Sequence, residues 1–94
     1  MLTYRYHTVF CPGVSRDPHP PPTYARAKAT LAGNLIRLRT ARGWTQEEAA
    51  SRCGMNTDQY GALERRRRNA TIETLAKLAD GYGVTVVDLL AEAE

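Results

Sequence analysis

Three features of this 94-residue chain predict an all-α fold. From Thr30 onward, apolar residues recur at helical spacing, with capping residues before them and glycines after several of them. The one strand-like stretch, MLTYRYHTVF, has no second strand in the sequence to pair with, and a lone strand is not stable in water. Between them in importance lies TQEEAASRCGMNTDQYGALER, Thr45 to Arg65, which reads as two short helices joined by a tight turn.

Residues 1–29 form a proline-rich arm outside the predicted helical domain of residues 30–94. In MLTYRYHTVF, Leu2, Tyr4, Tyr6, Thr8 and Phe10 alternate with Thr3, Arg5, His7 and Val9. CPGVSRDPHPPP follows, and its prolines forbid a helix there. Two readings stand open: a flexible arm, or a strand that pairs with its copy in a second protomer. Thr23 offers a cap for helix-forming TYARAKA.

The first secure helix spans Thr30 to Arg42, where Leu31, Leu35 and Leu38 share a face and Gly43 stops the helix. Ile36 lies off that stripe, so it is either partly exposed or in a subunit contact. Trp44 follows the stop and is expected to pack into the core.

Thr45 is an N-cap, and Glu48 three residues later completes the pattern of a capping box. Ala49, Ala50 and Cys53 make a narrow stripe of small residues, Gly54 ends the helix, and Asn56 caps the next. Tyr60 and Leu63 are that helix's inward residues. With Gln46 as the first position, alanine falls fifth and glycine ninth, as two helices crossing steeply over a short turn require. This is a helix-turn-helix pattern.

Thr71 then starts a helix with Ile72, Leu75, Leu78, Ala79 and Tyr82 as its stripe, ended by Gly81 to Gly83. Thr85 caps a short last helix in which Val86, Leu89 and Leu90 are expected to turn inward.

Charge is divided along the chain. Residues 1–29 carry four basic residues and one acid, Thr30 to Thr71 eight and four, and Ile72 to Glu94 one and five, giving +3, +4 and −4. Such a dipolar layout suits a protein that presents one face to a polyanion. No apolar run is long enough to span a membrane, nothing at the N-terminus resembles a secretory signal, and a cytoplasmic location is expected. Cys11 and Cys53 do not suggest a disulfide framework, and Cys53 is expected to be a buried, reduced thiol. His7, Cys11, His19 and Cys53 match no compact zinc-ligand spacing, so no metal and no cofactor are expected. There is no nucleophile–base constellation and no glycine-rich phosphate loop, which argues against an enzyme.

Leu31 to Leu90 resembles the Cro and phage-repressor type of helix-turn-helix, the XRE family. The matching residues are Leu35, Leu38, Arg39, Gly43, Thr45, Gln46, Ala50, Gly54, Leu63, Glu64, Arg65, Arg67, Asn69, and Thr71 through Leu78. The resemblance implies a five-helix, lambda-repressor-like DNA-binding domain whose third helix enters the major groove of double-stranded DNA. It also implies that Arg39 forks onto Glu64, positioning that helix. The family's usual glycine after the Glu-Arg pair is here Arg66, so either the third helix runs further or Arg66 takes a positive φ.

The residues expected to touch DNA sort by chemistry. Thr45 and Gln46, at a helix start, meet a phosphate. Asn56, Thr57 and Asp58 can read base edges, while Gly61 and Ala62 permit close approach. Arg65, Arg66, Arg67 and Arg68, with Asn69, form a phosphate clamp. One such module makes few base contacts, so a homodimer on two half-sites is expected. The alternative is an antitoxin or adaptor whose main contact is a protein partner.

Overall fold

The structure, a computed structural model, describes residues 21–92. Among these residues there are five helices: α1 (Pro22–Ala41), α2 (Gln46–Arg52), α3 (Thr57–Glu64), α4 (Ile72–Tyr82) and α5 (Val86–Leu90). The strand reading and the zinc-set residues His7, Cys11 and His19 fall outside the described residues.

α1 starts eight residues before the expected Thr30 and runs unbroken through it. Thr23 is not its cap. Pro21 and Pro22 open the helix instead, because proline's fixed φ suits the first helical position and its missing N–H is not needed there. The added turns are held at two points: the Tyr24 hydroxyl donates to Asn69 Oδ1, and Arg26 pairs with Glu92 at 2.6 and 3.0 Å. Both contacts are exposed, so each stabilises modestly.

α2 is capped as expected by Thr45, whose Oγ1 accepts from Glu48 N–H at 3.0 Å. The capping box is not completed. Glu48 turns its carboxylate to Arg52, one helical turn on, at 2.7 Å. The full box forms at α3, where Asn56 Oδ1 accepts from Gln59 N–H and Gln59 Oε1 accepts from Asn56 N–H. Thr85 and Asp88 form another at α5.

The core gathers Leu31, Leu35, Ala49, Ala50, Cys53, Tyr60, Leu63, Leu75, Leu78, Ala79, Tyr82 and Leu89. Trp44 reaches it from the edge: its ring stacks on Tyr82 at 5.4 Å and carries the Arg52 guanidinium over its face at 4.7 Å. Burial pushes the Cys53 thiol up to about 11. Two expected inward residues point elsewhere. Ile72, in the first turn of α4, is exposed, and so is Leu90, because α5 ends there with only Leu89 turned fully inward.

Asn34, unremarked in the sequence, and Gly81, expected there as part of a helix stop, fix helix positions. Asn34 is buried on α1, and its Nδ2 donates to the carbonyls of Leu89 at 2.7 Å and Ala91 at 2.9 Å. It thereby satisfies carbonyls that the end of α5 leaves without intrahelical partners. Gly81 lies within α4 rather than ending it. A Cβ there would stand 2.5 Å from Cys53 Sγ and 2.8 Å from the Arg52 carbonyl oxygen, so glycine is what lets α4 approach the end of α2.

Gly81→Ala should therefore destabilise the domain by about 1–3 kcal/mol, since backbone atoms must shift to admit the methyl. Gly33→Ala, on an open helical face with nothing within 4 Å, should stabilise by roughly 0.5–1 kcal/mol. Thermal denaturation of the two variants checks both signs.

Candidate nucleic-acid interface

α2 and α3 are joined by a turn that two local devices define. The N–H of Gly54 donates to the Ser51 carbonyl and that of Met55 to the Ala50 carbonyl, a Schellman closure with Gly54 at φ 72°. Asn56 then caps α3 at once, so the chain redirects within a few residues.

The same closure ends α3, with Arg66 in the left-handed position. Arg66 N–H donates to Leu63 and Arg67 N–H to Ala62, and Arg66 has φ 63°. Of the two readings open for Arg66, the positive φ is the observed one. α3 stops at Glu64, and the arginines beyond it leave the helix axis.

α3 is locked to the rest of the domain through Glu64. Its carboxylate, almost wholly buried, receives Arg39 Nε at 2.7 Å and Nη2 at 3.2 Å, and Gln46 Nε2 at 2.9 Å. Arg39 Nη1 also donates to the Trp44 carbonyl at 3.0 Å. One arginine thus ties α1, the entry to α2 and the end of α3. Burial alone would raise the Glu64 carboxyl's pKa. The hydrogen bonds from Arg39, Tyr60 and Gln46, with the Arg39 charge, outweigh burial and hold it below the usual range. The Tyr60 and Tyr82 hydroxyls lie 2.5 Å apart in the core, and burial raises the pKa of both.

The expected contact residues other than Gly61, Ala62 and Arg65 fall into three groups. Thr57 and Asp58 are exposed in the first turn of α3. Asn56 is exposed too, but its Oδ1 is used by the cap, which leaves only its Nδ2 for a base. Thr45 is likewise a cap, and Gln46 is half-buried with its amide nitrogen on Glu64. Arg66, Arg67, Arg68 and Asn69 are exposed on the loop.

Gly61 and Arg65 depart from expectation. Gly61 is not open helix surface but buried. A Cβ on it would stand 3.0 and 3.2 Å from the two terminal nitrogens of Arg65 and 3.3 Å from Gln46 Oε1. Arg65 therefore folds back along α3 and lies across Gly61, apart from the loop arginines. Ala62 beside it is half-buried.

Tyr82 lies inward as its stripe predicts, but its hydroxyl contact with Tyr60 and the roles of Gln59 and Asn34 were missed. Asn34 left a signal, a polar residue four before Leu38 on the inward side of α1. Gln59 left one as well, three residues after an N-cap.

An arrangement of this kind, a short capped helix crossing a second whose outer face is left free, defines a class of protein. The chain belongs to the helix-turn-helix family, whose model matches residues 35–89. It is 38% identical over 63 residues to a hypothetical transcription factor of Neisseria meningitidis, covering 67% of this chain and 59% of that protein. Against the HTH-type transcriptional regulator y4dJ of Sinorhizobium fredii it is 41% identical over 64 residues, covering 68% of this chain and 83% of the other. A phage repressor of Vibrio cholerae, RstR, is 37% identical over 64 residues, 68% of this chain and 58% of its own. The chain thus spans less than two thirds of two of these relatives. The crystal structure of the Neisseria factor superposes with a TM-score of 0.69 at 35% identity, covering 80% of this chain and 86% of that one. That of the restriction-modification controller protein C.AhdI of Aeromonas hydrophila gives 0.63 at 31%, covering 66% and 94%.

Two outcomes follow for stability. Glu64→Gln should cost about 3 kcal/mol at neutral pH, because Arg39 keeps its charge in a largely buried place and loses its counter-charge. Since the folded carboxyl sits below its unfolded value of about 4.3, that contribution is present above the unfolded value and fades as pH falls through the folded one. The gap between wild-type and variant melting curves should close on acidification; a gap independent of pH would exclude Glu64 as the titrating group.

Arg66→Gly should raise the thermal midpoint, by up to about 1 kcal/mol of stability, because the left-handed conformation crowds a Cβ but not a glycine.

Proposed function

We propose that the chain is a sequence-specific DNA-binding transcriptional regulator that inserts α3 into the major groove and works as a homodimer on two half-sites. The observation that carries this reading is the free outer face of α3, with Thr57 and Asp58 exposed, followed directly by four exposed arginines. Membership of the helix-turn-helix family supports it, as do relatives named as transcriptional regulators and a repressor. That family is not an enzyme family. No described helix is long and apolar enough to cross a membrane, and the cytoplasm is where such a regulator meets its DNA.

In this reading Thr57 offers a hydroxyl or methyl to a base edge, and Asp58 accepts from cytosine N4. Arg66, Arg67 and Arg68 meet phosphates, with Asn69 beside them, and supply affinity rather than sequence choice. Thr45 and Gln46 stand where a phosphate flanks the groove. Ile36, Val87 and Leu90 are exposed apolar residues on α1 and α5, which pack together, and they suit a contact with a second copy.

Titrations on a selected duplex and a scrambled one, at several salt concentrations, separate the roles. Arg67→Ala should weaken both duplexes alike and flatten the log-affinity versus log-salt slope by about 1. Asp58→Ala should lower affinity for the selected duplex by roughly 1–3 kcal/mol. It should leave the scrambled duplex bound as well or better, since a negative charge has gone. Were neither variant to matter, DNA would not be the main partner, and a protein partner should be sought instead.

A further inference from the structure

We infer that Arg65 is a base-reading residue, placed to fork onto the O6 and N7 of a guanine, with Gly61 as the seat that holds its guanidinium across the groove face of α3. The inference rests on the regulator reading above and assigns one contact within it.

Gly61 sits in the middle of an eight-residue helix, with neither a positive φ nor an end to form. Glycine there disfavours the helix relative to alanine. Core packing gives no reason for it, because what occupies the space of its missing side chain is the Arg65 guanidinium and Gln46 Oε1. Thr57, Gly61 and Arg65 follow one another at intervals of four, on one line of the helix surface. Arg65, at the end of that line, leans back toward the N-terminus of α3, as long helical side chains do. Its charged head therefore lies over the middle of the outer face, while Arg66 to Arg68 follow the backbone away from the axis.

Gln46 helps to set this geometry. Its Nε2 is committed to Glu64 Oε1 at 2.9 Å, so its oxygen is the end turned toward Gly61 and Arg65. Both groups stand within 3.3 Å of where a Gly61 Cβ would be, so the Gln46 oxygen and the Arg65 guanidinium share the space that glycine leaves open. Asn56, Thr57 and Asp58 supply single donors or acceptors, but none presents two parallel N–H groups. Guanine's two major-groove acceptors call for such a fork, and an ammonium cannot replace it.

The test starts with selection of bound duplexes from a randomised library by the full-length protein, then measurement of guanine preference at each position. Arg65→Lys keeps the charge and removes the fork. Preference for guanine at one position per half-site should fall about tenfold or more, with scrambled-duplex affinity and salt slope nearly unchanged. Placing 7-deazaguanine at that position should weaken the wild type by a similar factor and leave the lysine variant indifferent. Gly61→Ala should raise the thermal midpoint yet lose the same preference, because its methyl displaces the guanidinium. Equal weakening of selected and scrambled duplexes by Arg65→Lys, or an intact guanine preference in that variant, would overturn the assignment and make Arg65 a phosphate contact. A wild type with no sequence preference would instead overturn the regulator reading, and this assignment with it.

Discussion

The Arg39–Glu64 pair is the constraint on which the rest of the arrangement depends. α3 is only two turns long, and a helix of that length has no stability of its own in water. Its orientation must come from outside. Tyr60 and Leu63 supply apolar contact, but apolar contact is non-directional and would allow the helix to slide or roll. The planar fork of Arg39 on a nearly buried carboxylate is directional, and the Trp44 carbonyl and Gln46 amide engage a further donor and acceptor site. With the network fully satisfied, no buried side-chain nitrogen or oxygen is left without a partner among the described residues.

Around that pair, the domain is assembled from helices that end abruptly. α1, α2 and α3 each close with paired hydrogen bonds into the last turn, and each places a residue of positive φ just beyond it. Gly43 and Gly54 do this without strain; Arg66 does it with a Cβ. Arginine rather than glycine at this position puts charge at the exit of α3 at a local conformational cost of about 1 kcal/mol. A cation thus stands where the backbone favours glycine, and the proposed phosphate contact would give it a use there.

Helix existence, order and most caps were legible in the sequence, because Thr45, Asn56, Thr71 and Thr85 announce helix starts locally and glycines announce three of the stops. The start of α1 was not, since proline both forbids a helix before it and opens one after it, and only the contacts of Tyr24 and Arg26 with distant residues decide between the two. Ile72 was misplaced for a related reason: in the first turn of a helix, periodicity cannot tell whether a neighbouring element reaches far enough to cover the side chain. At the candidate site, residue types were readable but their commitments were not. Asn56 looked free to read a base and is half used as a cap; Gly61 looked like open surface and lies beneath Arg65.

Asn34 gives α5 an unusual dependence. A five-residue helix is too short to persist alone, and its last carbonyls are gathered by one amide from α1 rather than by its own continuation. Leu89, fully buried, is the side chain that α5 contributes to the core. The last turn of the fold and its centre are thus joined by two neighbouring side chains, the amide of Asn34 and the buried Leu89, one polar and one apolar.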